Sequence, residues 1–209
     1  MKSMKKYRRL LVIFAVLVLC AFYTSRTDAK VIYTGKDKID TACEIILAKC
    51  SDEKMTSKEK LKAVYEFLVK NMKYSHSKGS VKIKVSKDQI QKFKKTEAEQ
   101  KAAGQVSYSK KFRRRYQNVL TMRGTCYDMS TVFCIMANHL GFKAGLCSGR
   151  YVRSNGSSCE HWWNYVKIDG KKKYFDVQAA NASWKGHHKM SKSFFWQDKN
   201  SHAWSKHHD

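Results

Sequence analysis

Two stretches decide how this chain folds: GTCYDMSTVFCIMANHLGFKAGLCSG, residues 124–149, and HWWNYVKIDGKKKYFD, residues 161–176. In the first, Val132, Phe133, Met136 and Leu140 recur at helical spacing, so a helix is expected from Cys126 to Leu140. Gly141 fits the left-handed residue that ends such a helix. Cys126 therefore opens a helix. A helix start presents free N–H groups and a partial positive charge, which lowers a thiol's pKa and favours the nucleophilic thiolate. Cys134 lies within the helix and reads as a small core residue.

Downstream the period changes to two. Residues 146–153, 161–168 and 174–177 read as strands, with Ser154–Ser158 as the first turn and Asp169-Gly170 as a tight hairpin. With a two-residue loop, Trp163 lies opposite Asp176 and His161 opposite Gln178. His161 and Asp176 are then diagonal neighbours on one face, about 7–8 Å apart between backbones and within side-chain reach. The other face carries Trp162, Val166, Ile168, Phe175 and Val177, a core face for the Cys126 helix. The result is a thiol at a helix start with a histidine and a carboxylate paired across a hairpin. The histidine can take the thiol proton, and the aspartate can orient the imidazole and stabilise its charged form. By spacing alone, a core cysteine, a half-buried histidine and an edge aspartate are the plainer reading.

Upstream, residues 38–50 read as a short helix capped by Asp40 or Thr41. Residues 56–73 read as a longer amphipathic helix with Leu61, Val64, Phe67, Leu68 and Met72 on its buried stripe. Helices followed by an antiparallel sheet make an α+β fold. Residues 77–116 hold 13 basic and 3 acidic residues with no sustained period. This stretch reads as a loop or weak helical excursion inside the domain, either a solvated insertion or a basic binding flap.

Five basic residues (Lys2, Lys5, Lys6, Arg8 and Arg9) precede the apolar run Leu10–Tyr23, which is 14 residues long. That pattern fits an export signal ending near residue 29, or a signal anchor if it stays uncleaved. A single domain is then expected over 30–209, in the secreted space or the cell envelope. The chain has 42 Lys+Arg against 17 Asp+Glu, a formal charge of +25. Without residues 1–29 the charge is +20. Such a charge attracts polyanions. Export argues against nucleic acid and for an anionic envelope polymer, while a solvated Lys-rich surface is the bland reading.

The two quoted stretches together resemble the bacterial transglutaminase-like superfamily. The resemblance rests on Gly124-x-Cys126, Leu140-Gly141, Gly149, His161-x-Trp163-Asn164, Asp169-Gly170 and Asp176, and it covers roughly residues 55–178. It implies a papain-like α+β core with Cys126 as nucleophile, His161 as base and Asp176 as orienting carboxylate. The chain departs from the family after Asp176: Val177-Gln178-Ala179 stands where a turn and a Trp are usual, and a Trp appears only at Trp184.

That chemistry is attack of a thiolate on an amide carbonyl to give a thioester. Water then gives a peptidase or amidase, and an amine gives a cross-link; the three residues do not distinguish them. The Cys126 N–H is an oxyanion donor by geometry, with Gln178 and Trp163 as candidates for the second. The substrate expected is a protein or a wall peptide. No cofactor and no metal are expected, and the protein is expected to be a monomer. The alternative is a non-catalytic module on the same fold that binds a wall polymer or another polyanion.

Six cysteines follow residue 29. Cys147 and Cys159 flank the loop before His161 and are the better disulfide candidates; Cys43 and Cys50 could pair only if their helix ended near Lys49. Cys159 could also approach Cys126 as a redox lock, though a buried thiol is preferred. Five histidines stand between His187 and His208 without a zinc spacing, in a segment expected to be mobile and exposed except where Trp184, Phe194, Phe195 and Trp196 pack part of it on the domain.

Overall fold

The computed structural model describes residues 30–75, 81–109, 111, 115–153 and 155–208. The expected export segment, residues 1–29, lies outside them. The chain runs through β1 (Val31–Tyr33), α1 (Asp37–Cys50), α2 (Ser57–Asn71), β2 (Lys73–Tyr74), α3 (Lys87–Ala102), β3 (Val106–Tyr108), α4 (Gln117–Thr121) and β4 (Arg123–Gly124). It continues through α5 (Cys126–His139), β5 (Lys143–Val152), β6 (Ser158–Ile168), β7 (Lys171–Phe175), α6 (Val177–His187) and β8 (His207–His208). The main sheet has the order β7-β6-β5-β8 and is antiparallel throughout. The pairs β1–β3 and β2–β4 are small parallel ribbons.

α5 is the pivot. Every residue from Asp128 to His139 is buried, because the sheet covers one side of the helix and the N-terminal helices cover the other. A helix apolar on most of its circumference has to lie inside the molecule. Gly141, at φ 85°, turns the chain out of it toward β5. α2 begins with a capping box, Thr56 with Glu59, and buries Leu61, Val64, Tyr65, Leu68 and Val69 against α5 and α6. α1 starts at Asp37, one turn ahead of the expected caps. Asp40 instead accepts the Thr34 and Lys36 N–H groups at 2.9 and 3.1 Å, closing the turn that precedes the helix.

The hairpin register is the one a two-residue Asp169-Gly170 loop dictates. Ile168 faces Lys171 and Asn164 faces Phe175, with Asp169 and Gly170 at φ 50° and 78°. Val166, Ile168, Phe175 and Val177 join the core, whereas Trp162 is only half-buried. The third strand is shorter than expected. It stops at Phe175, because Asp176 caps α6 through an N–H···O bond from Ala179 at 2.9 Å. Val177 therefore begins a helix.

The basic stretch holds a regular helix of 16 residues, α3, and not a loop. Ser86 and Gln89 form its capping box, and Phe93 is its one buried residue, edge-on to Tyr33 at 5.2 Å. One anchor on a charged helix leaves no apolar period to read. Phe93→Ala should therefore cost about 3 kcal/mol and expose α3 to protease while leaving Cys126 reactivity intact. Thermal unfolding and limited proteolysis check this.

Neither expected disulfide forms, and all six described cysteines are free. Cys147 faces Trp163 and Cys159 faces Tyr151. Four residues of strand, about 13 Å, separate the two along the ladder, far beyond disulfide reach. α1 continues through Cys50, which keeps Cys43 and Cys50 apart.

Candidate active site

Gly124 and Thr125 set up the helix start that carries Cys126. The Thr125 N–H and hydroxyl donate to Asp128 Oδ2 at 2.8 and 3.0 Å, so the Asp128 side chain folds back over the first turn. A Cβ at position 124 would sit 2.1 Å from Asp128 Cβ, so only glycine fits there. Arg115 pairs with Asp128 Oδ1 at 2.9 Å and offsets a negative charge two residues from Cys126.

β6 brings His161 to that thiol. Two bonds pin the strand to α5: Ser130 Oγ donates to the Trp162 carbonyl at 2.9 Å, and Asn164 Nδ2 donates to the Ser130 carbonyl at 2.8 Å. They lie one helical turn from Cys126 and on either side of Trp163, so they hold the thiol and the imidazole in register. His161 and Cys126 line one cleft, and each acts on the other's charge. The His161 Nε2–H donates to Asp176 Oδ2 at 2.6 Å, which leaves Nδ1 for the thiol. The structure thus joins His161 to Asp176 by a hydrogen bond and sets Cys126 in the same cleft as His161.

The electrostatics follow. Burial alone would raise the Cys126 thiol, but the His161 hydrogen bond and charge, with the Trp162 and Tyr127 N–H groups, lower it below its ordinary value. Burial would lower His161. Asp176, and then Cys126, more than reverse this and lift it from 6.5 to about 10. Burial would raise Asp176; His161 and His207 hold it well below the usual carboxylate range. All three shifts favour a thiolate–imidazolium pair.

A cleft of about 560 Å³ opens over the thiol. Tyr74, Tyr151 and Phe194 give it aromatic walls, Ala179 and Ala182 a smooth one, and Arg153 and Lys206 a cationic rim. Gln178 lines it and stays available as an oxyanion donor. Trp163 does not line it: it is buried under the sheet, stacked on His161 at 6.1 Å. Cys159 shares the cleft, with its thiol 3.9 Å from the Tyr151 carbonyl.

Sequence reasoning gave no role to Ser130 or His207 and named Asn164 only as part of the resemblance. The C-terminal segment packs on the domain through the expected aromatics and buries His207, which was expected to be exposed. Phe194, Phe195 and Trp196 pack on the core, and His207 is buried with Nε2 2.9 Å from Asp176 Oδ2. His161, Asp176 and His207 place ligand-type atoms within 4.8 Å of one another. Two ligands of a tetrahedral zinc ion lie about 3.3 Å apart. The spacings here, 2.6 and 2.9 Å, are those of charge-assisted hydrogen bonds.

Residues 81–179 match the family model of the transglutaminase-like superfamily. That region of the chain is similar to the transglutaminase-like core. The match ends three residues past Asp176 and so contains Cys126, His161 and Asp176. Families of this class are papain-like enzymes, and the transglutaminase-like α+β fold is the one described above. A solved crystal structure of a TGase aligns at 18% identity and a TM-score of 0.40, over 66% of this chain and 31% of that one. This chain thus spans about a third of that structure's length. No curated protein matches it.

Proposed function

We propose that this protein is an exported thiol enzyme that acts on amide bonds through a Cys126 thioester. The observation that supports this reading is the buried His161–Asp176 hydrogen bond beside Cys126 in an open cleft. The thiolate attacks the amide carbonyl carbon, and the carbonyl oxygen takes the negative charge near the helix start, where the Cys126 N–H points. As the C–N bond breaks, the His161 imidazolium gives its proton to the departing amine. Water or a second amine then attacks the thioester, and His161 takes the proton that the nucleophile sheds. Water yields a carboxylic acid, and an amine yields a new amide; both regenerate the Cys126 thiol.

The cationic rim favours an acyl donor with a carboxylate close to the scissile amide. Neither Arg153 nor Lys206 forms an ion pair among the described residues, and Glu160 is the acidic group in the cleft. Proteins and wall peptides rich in free carboxylates fit this description, and the high positive charge would concentrate the enzyme on an anionic envelope.

The test is to trap the acyl-enzyme. The protein is mixed with glutaminyl and wall-type peptides, quenched in acid, and the peptide carrying Cys126 is weighed. A thioester adduct on Cys126, absent from Cys126→Ala and discharged by a primary amine to a new amide, is the expected result for transfer; discharge by water alone marks a hydrolase. No adduct on any peptide, together with an ordinary thiol at Cys126, would favour the polyanion-binding alternative.

A further inference from the structure

His207 lies outside the three residues that the proposed chemistry uses, yet it reaches the same carboxylate oxygen. Asp176 Oδ2 accepts from His161 Nε2 at 2.6 Å and from His207 Nε2 at 2.9 Å, while Oδ1 accepts from the Ala179 N–H at 2.9 Å. Because a carboxylate only accepts, Nε2 is the protonated nitrogen of His207.

The fold holds this imidazole tightly. Its ring stacks on Trp204 at 3.8 Å and 7°, Trp163 meets it edge-on at 5.0 Å, and Tyr151 closes a third side at 5.1 Å. β8 pairs with β5 so that His207 stands opposite Tyr151. That pairing depends on Gly149. A Cβ there would lie 2.1 Å from the His208 carbonyl oxygen and 2.8 Å from the Trp163 ring. A two-residue strand contributes few ladder bonds, so its placement is better explained by what it delivers.

We infer that His207 is a positioning residue for Asp176: its hydrogen bond fixes the carboxylate and shares its negative charge, so the last strand of the fold completes the site. The inference rests on the Cys126–His161–Asp176 reading above. Two donors on one oxygen each receive part of its charge. Without His207, the whole charge of Oδ2 falls on His161, and the imidazolium becomes harder to deprotonate. The other titratable groups facing Asp176 and His161 are Tyr151 from β5, Tyr65 from α2 and Cys126 from α5. None of them donates a side-chain hydrogen bond to Oδ2 among the described residues.

Iodoacetate reads this out without knowledge of the substrate. An anionic reagent attacks the thiolate faster while the imidazolium keeps its proton, so the rate has an alkaline limb set by His161. His207→Phe keeps a ring on Trp204 and removes the donor. Its alkaline limb should move up by about one pH unit, and His207→Gln, whose amide N–H can reach Asp176, should bring the limb back. Mere loosening of Asp176 would move the limb down, toward an ordinary imidazole. A limb that moves down, or stays in place in a cooperatively folding His207→Phe, overturns the inference. If His207→Phe does not fold, Gly149→Ala, which displaces β8, carries the test under the same two criteria. A wild-type profile without any activated thiolate overturns both this inference and the enzyme reading. An activated wild type with unmoved variants overturns this inference alone.

Discussion

Asp176→Ala should lower the unfolding free energy by about 3–5 kcal/mol and abolish Cys126 activation in the same step. The carboxylate is fully buried and serves three donors: the ring N–H groups of His161 and His207 and the backbone N–H of Ala179. Alanine leaves all three without an acceptor inside the protein, and it removes the cap of α6. Asp176→Asn separates the two effects. It keeps the volume and one acceptor oxygen, so it should fold, yet it cannot stabilise a charged His161. The catalytic loss expected from the wrong tautomer is about 10⁴-fold. The stability difference between wild type and Asp176→Ala is also pH-dependent. A carboxyl whose folded pKa lies below its ordinary 3.8 contributes fully above that value and loses its contribution as the pH falls through the folded value. Urea unfolding of both proteins at about pH 7 and about pH 3 should therefore show the gap shrinking in acid. An equal gap at both pH values would mean that Asp176 is not held as an ion.

His161→Ala should slow alkylation of Cys126 by iodoacetamide about 100-fold at about pH 6.5, because an ordinary thiol is only about 1% ionised two units below its pKa. In the wild type the His161 partner holds the thiol below its ordinary value, so more thiolate is present at a given pH. The sign of the pH dependence follows from both shifts. The thiolate–imidazolium pair should set in below the ordinary thiol value and persist up to the raised His161 value of about 10. Identification of the labelled peptide by mass distinguishes Cys126 from Cys159, which shares the cleft, and from Cys134, whose thiol burial pushes up to about 12. Equal rates in wild type and His161→Ala would sink the ion-pair reading and, with it, the proposed enzyme.

Much of this site was legible because its parts obey short-range rules. The apolar period from Val132 to Leu140, ended by Gly141, marks the central helix and puts Cys126 at its start. Asp169-Gly170 sets a two-residue turn, and that turn alone puts His161 and Asp176 on one face of the sheet. Helix periods, turn chemistry and strand alternation act over a few residues, so a linear reading captures them.

Other features depend on contacts that no spacing encodes. Asp176 ends a strand and caps a helix at once, which alternation cannot signal. Ser130 and Asn164 join α5 to β6 across 34 residues. Gly149 is demanded by the His208 carbonyl, which arrives from the far end of the chain. His207 looked like one histidine among five in a tail, and it becomes part of the site only because β8 docks beside β5, 31 residues after Asp176. The helix that carries the thiol and the register of the hairpin are readable from neighbouring residues, because short-range interactions set them. The tertiary structure alone decided which histidine reaches the carboxylate second, because that choice is made by packing between distant segments.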